Sequence, residues 1–117
     1  MKKLGILFLA CGLAFSVAAQ DKKADKKAGA GGGDATKGEA VFKEKNCAVC
    51  HWTDKEARRI GPGLKGLFKH EKMWDDKPLT EANVRAMILK GGGKMTGFED
   101  QLDAKELNNL IAYLKTL

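Results

Sequence analysis

Cysteine and histidine are scarce in this chain, alternating strand patterns are missing, and each shortage closes off a class of protein. The 117 residues include three cysteines and two histidines. A structural zinc site takes four ligands; beyond Cys47 and Cys50 only His51, pressed against its neighbour, and the isolated His70 remain to supply them. Cys11 lies in an N-terminal apolar run. If that run is removed, Cys47 and Cys50 are left, and a bridge between residues so close closes too small a loop to staple a fold. No strand pattern precedes the pair, which removes the strand-to-helix setting of a thioredoxin-like redox motif. The formal charge is +6, yet no basic helix and no interleaving of basic and aromatic residues accompanies it, so nucleic acid is not indicated. The apolar run falls short of the ~20 residues that cross a bilayer, which argues against a stable membrane span.

What is present divides the chain into three parts. Met1-Lys2-Lys3, the run from Leu4 to Ala19 and the abrupt polar turn at Gln20-Asp21 are the pattern of a secretory signal peptide. Val17-Ala18-Ala19 offers small residues for cleavage after Ala19, so residues 1–19 are expected to be lost and the protein to work in the periplasm. Residues 20–35 are rich in lysine, alanine and glycine with almost no apolar content, and read as a disordered leader. Residues 36–117 are left as one domain of about eighty residues, a size that seldom buries enough apolar surface to be comfortably stable unless a cofactor joins the core.

Three helices are legible in that domain. Thr36 followed by Glu39 suggests a capping box, with Ala40, Val41 and Phe42 opening an apolar face that runs toward Asn46. Thr80 is expected to cap the second helix, with Leu79 and Val84 at staple positions and Gly91-Gly92-Gly93 ending it. Asp103 with Glu106 caps the third, where Leu107, Leu110, Ile111 and Leu114 recur at helical spacing. Between Trp52 and Pro78 there is no sustained period, only loops and one short helical turn at Leu64 to Phe68. The fold class is therefore all-α, without strands or repeats.

Cys47-Ala48-Val49-Cys50-His51 carries the chemistry. C-x-x-C-H is the spacing at which a chain is attached covalently to haem: two thiols add to vinyl groups on one porphyrin edge, and the adjoining histidine is brought under the iron. One histidine leaves the iron's other face open. Met95 is the best candidate for it, because it emerges from the triglycine loop, and a soft thioether stabilises reduced iron. His70 is the competitor. Met87 reads as part of a helix core face, and Met73, beside Trp74, as loop packing.

These residues together, with Gly61-Pro62-Gly63-Leu64 and Lys94-Met95 ahead of a C-terminal helix, resemble the small class I monohaem cytochromes c of bacteria over roughly Gly38 to Leu117. The resemblance implies a small cytochrome c fold, three main helices and long loops wrapped around one haem c. In it Cys47 and Cys50 form thioethers, His51 and Met95 bind the iron, and the carbonyl of Pro62 receives the Nδ1 proton of His51. Gly38 and Phe42 would sit at a close crossing of first and last helices, with Tyr113 as aromatic partner. Many relatives have proline after the distal methionine, where this chain has Thr96, so the path of that loop is left open. The implied role is non-enzymatic electron transfer in a respiratory-type chain by a monomer that meets redox-partner proteins. Lys65, Lys69, Lys72, Lys90 and Lys94 fall around the implied haem pocket and suit an acidic docking surface. A haem subunit of an oxidase or dehydrogenase, or a haem enzyme or gas sensor with a displaceable methionine, are the alternatives.

Overall fold

The computed structural model describes residues 32–117, so the signal peptide and most of the leader lie outside the described residues. Its helices are α1 (Ala35–Glu44), α2 (Glu81–Lys90) and α3 (Ala104–Leu114). Short 3-10 turns occupy Cys47–Val49 and Leu67–Lys69. Among the described residues β pairing is confined to isolated bridges, such as Lys72 with Pro78 and Gly92 with Met95, and no strand forms, so the all-α reading holds.

Local chemistry accounts for each helix end. Asp103 accepts from the Glu106 amide at 2.7 Å while Glu106 Oε2 accepts from the Asp103 amide at 3.0 Å, the expected capping box. Thr80 Oγ1 caps α2 through the Asn83 amide. The first helix differs from expectation: its cap is Asp34, whose carboxylate accepts from the Thr36 and Lys37 amides at 2.9 and 3.1 Å. Thr36 is already helical, so it cannot serve as the half-in residue whose side chain turns back on the first turn. The short turn in the long loop also starts later than Leu64, because Gly66 is left-handed at φ 65° and helical geometry can begin only after it.

The core forms where α1 and α3 cross. Gly38, Val41 and Phe42 line the buried face of α1, and Leu107, Leu110, Ile111 and Leu114 line that of α3, with Ile111 only 1% exposed. A Cβ on Gly38 would overlap the backbone carbonyl of Asn109, and one on Gly33 that of Asn108, so both glycines are needed for the approach. Phe42 meets Tyr113 edge-on with ring centroids 5.5 Å apart. Buried Asn109 accepts the Asp34 amide at 2.9 Å, which ties the start of α1 to the middle of α3.

α2 joins the pair by its ends. Glu81 accepts from Lys115 Nζ at 2.5 Å and from Arg85 Nη2 at 2.7 Å; the Lys115 ammonium first, then the Arg85 guanidinium, holds the carboxyl below its ordinary pKa. At the other end, Gly91 at φ 73° stops the helix. The chain then doubles back so that the Phe98 and Glu99 amides donate to Ile88 O and Leu89 O. Those bonds satisfy carbonyls that a helix end leaves without intrahelical partners, and they draw Met95 back toward the core.

Candidate functional site

The site is assembled from three loops that contain almost no regular structure. After α1, Asn46 takes the left-handed conformation at φ 57°. The chain then closes a tight turn in which the Cys50 and His51 amides donate to Cys47 O at 3.1 and 3.0 Å. Cys47 and Cys50 are both free and partly buried, and burial pushes the Cys47 thiol above its ordinary pKa.

The Gly61-Pro62-Gly63-Leu64 segment holds the histidine that follows. Gly61 donates to Cys50 O at 2.8 Å and Leu64 to Trp52 O at 2.7 Å, so the segment lies across the cysteine motif. His51 Nδ1 is 2.8 Å from Pro62 O. A carbonyl can only accept, so Nδ1 carries the proton and Nε2 keeps a lone pair for a metal. Gly61 packs so closely on the imidazole that a Cβ would overlap Cε1, and a Cβ on Gly63 would overlap the Lys55 carbonyl.

Met95 lies on the third loop. Gly92 and Met95 exchange backbone hydrogen bonds at 3.0 and 3.1 Å, which pins the turn that carries the thioether, and the side chain packs on the core. Thr96 follows, and the loop closes through the Phe98 bond to α2.

Cys47, Cys50, His51, Pro62 and Met95 all line one cavity of about 610 Å³. Its remaining wall is largely the core itself: Leu64, Val84, Ile88, Leu110 and Leu114 are buried and also face the cavity. Two thiols, an imidazole with a free lone pair and a thioether within an apolar chamber of cofactor size fit a covalently held haem.

The cavity also gathers the competitor His70 and residues the sequence did not single out for it. Met73 and Met87 line it, as does His70, so three further side chains able to bind iron share the chamber. Of the three methionines only Met95 belongs to the partly buried shell packed on the core. Of the five lysines expected around the pocket, Lys72 and Lys94 line it; Lys90 borders a smaller hollow beside α2, and Lys65 and Lys69 are exposed elsewhere on the loops. Arg58 lines the cavity and was missed, as were Ile60 and Trp74, about half exposed at its wall. For Arg58 and Ile60 the only signal was the unbroken Arg58-Arg59-Ile60 run in a loop without period, and Trp74 reads only as loop packing beside Met73.

The family model described as "Cytochrome C oxidase, cbb3-type, subunit III" matches residues 33–114. Cytochrome c2 of Rhodospirillum rubrum is 34% identical over 73% of this chain and 98% of its own length. Cytochrome c oxidase subunit 2 of Bacillus subtilis is 38% identical over 71% of this chain, which spans only 26% of that relative. Among solved structures, cytochrome c6 of the diatom Phaeodactylum tricornutum superposes with a TM-score of 0.56 and 27% identity, covering 72% of this chain and 93% of the diatom protein.

Proposed function

We infer the function from one premise: the chain belongs to the cytochrome c family, whose members hold one covalently attached c-type haem with its iron. It is a haem electron-transfer protein. The finer reading is that of an exported, periplasmic, monomeric carrier in a respiratory-type chain. Cys47 and Cys50 would form the thioethers, His51 and Met95 would bind the iron, and Pro62 would orient the imidazole. The haem supplies a one-electron couple between Fe(II) and Fe(III). The residues around it do the rest. The Pro62 carbonyl holds the Nδ1 proton of His51, which fixes the tautomer and raises the basicity of Nε2. The thioether of Met95 favours the reduced metal. Leu64, Val84 and Ile88 would exclude water, and with His51 and Met95 both bound to the iron no site would be left on it for a substrate, which supports a carrier rather than an enzyme.

The observation that carries this reading is the 2.8 Å contact from His51 Nδ1 to Pro62 O beside two free thiols on one cavity wall. Acidic organic extraction tests it. Haem is expected to stay with the wild-type chain, to be held less firmly in Cys47→Ala and in Cys50→Ala, and to be extractable from the double variant. The intact mass of the wild type should correspond to a chain beginning at Gln20 plus one haem. Haem that leaves the wild type freely would sink the assignment.

The positive side chains at the cavity, Arg58, Lys72 and Lys94 against Glu56, support an acidic redox partner. Steering of that kind is screened over about 10 Å at 0.1 M salt, so the bimolecular rate should fall as ionic strength rises. Lys94→Glu should slow it further at low salt, with Lys65→Glu weaker and Lys22→Glu or Lys26→Glu nearly silent. A rate indifferent to salt would point to an apolar patch instead. The oxidase subunits named among the similar proteins favour a second reading, a haem subunit of an oxidase; native electrophoresis from the host separates a free chain from a complex.

A further inference from the structure

Arg59 does more than decorate a loop. Its guanidinium carbon lies 4.4 Å from the centroid of the Trp52 ring, while Nη1 donates to Ala48 O at 2.9 Å. Its backbone amide donates to Gly61 O at 2.9 Å, and Gly61 in turn donates to Cys50 O. Lys55 Nζ sits 4.5 Å from the same indole, so two cations from the loop share one ring. One exposed residue thus joins three things: the interior of the cysteine motif, the residue after His51, and the glycine packed on the imidazole and followed by Pro62.

We propose that Arg59 is a positioning residue for His51, a planar clamp that holds the Gly61-Pro62 carbonyl segment on the imidazole through its bond to Ala48 and its stack on Trp52. The proposal rests on the reading that His51 binds the iron. The planar guanidinium stacks on Trp52 while Nη1, in the same plane, donates to Ala48 O; a lysine ammonium is a point charge on a flexible stem and cannot hold both contacts at once. A cation on an aromatic face and a charged hydrogen bond are each modest, yet together they suffice to change local opening of the segment about tenfold. When the segment loosens, Pro62 O holds the Nδ1 proton less firmly, Nε2 becomes a poorer donor, and the oxidised iron loses stabilisation.

Charge alone has the opposite sign. Removing a nearby cation stabilises the more positive ferric state and lowers the potential, whereas loosening the Pro62 bond raises it. Holoproteins carrying Arg59→Lys, Arg59→Ala and Trp52→Leu separate the two effects when amide exchange at Gly61 and Leu64 and the reduction potential are measured together. Exchange at Gly61 is expected to quicken about tenfold in all three, and the potential to rise in all three, including Arg59→Lys, where the charge is kept. If Arg59→Lys matches wild type while Arg59→Ala lowers the potential, Arg59 is only a local charge and the proposal falls. If Gly61 exchange is unchanged in all three, the clamp does not exist. Failure of the underlying reading shows separately, as a His51→Ala protein that keeps the wild-type haem spectrum.

Discussion

Gly38→Ala is expected to cost about 3 kcal/mol or more, an overpacking penalty at the top of the usual range. In an isolated helix the same change would gain about 0.5–1 kcal/mol, because alanine loses less backbone entropy than glycine. Tertiary structure reverses the sign. The added Cβ would overlap the Asn109 carbonyl oxygen and crowd Tyr113 Cβ at 2.7 Å; the first is backbone and the second a helical Cβ, so no side-chain rotation offers relief. The helices would have to separate, and with them the Phe42–Tyr113 contact and the buried Asn109 bond to the Asp34 amide. For a domain of this size the loss corresponds to a fall in melting temperature of roughly 12–24 °C. Ala40→Gly, on the exposed face of the same helix, should cost only about 1 kcal/mol by propensity alone. Thermal melts of the two variants decide the matter, and a Gly38→Ala protein as stable as wild type would mean that α1 and α3 do not approach so closely.

The parts of this fold written in short-range chemistry were readable in the chain. Asp103 with Glu106, Thr80 ahead of α2, and the Leu107, Leu110, Ile111, Leu114 spacing each act within one or two turns, so nothing distant could overrule them. Thr36 misled because a threonine three residues before a glutamate is a capping pattern only if the helix begins there. Asp34, two residues earlier and tied to Asn109, began it first. The cysteine motif and the glycine-proline segment were visible as words. Their joining was not, since the bonds from Gly61 to Cys50, Leu64 to Trp52 and Arg59 to Ala48 belong to a loop whose order comes from backbone pairing and a cation stack rather than from any period. Convergence was hardest to read. Met73, Met87 and the competitor His70 reach the same cavity as Met95 from separate segments, and only the folded backbone shows that the local arguments for setting the two methionines aside did not concern distance.

That convergence makes Met95→Ala the most informative change at the site. If Met95 is the second axial ligand, its removal should abolish the weak long-wavelength band of sulfur bound to ferric haem, open the iron to carbon monoxide and cyanide, and lower the reduction potential. The fall should exceed the shift equivalent to one decade in the equilibrium constant, about 59 mV for one electron, because a soft thioether favours the reduced metal and water or hydroxide in its place does not. The nearby donors are able to mask a substitution, and they also supply the controls. Met87 is on α2, its sulfur 3.1 Å from where a Gly92 Cβ would lie, so it is packed against the turn. Met73 is held in its own turn by the bond from its amide to Lys77 O. Neither belongs to the shell packed on the core as Met95 does, and His70 is exposed. Met87→Leu, Met73→Leu and His70→Ala should therefore each keep the band and exclude carbon monoxide. Should Met95→Ala retain the band, the double variant with Met87→Leu or Met73→Leu identifies which sulfur took its place, whereas loss of the band in either leucine variant alone would move the ligand assignment away from Met95.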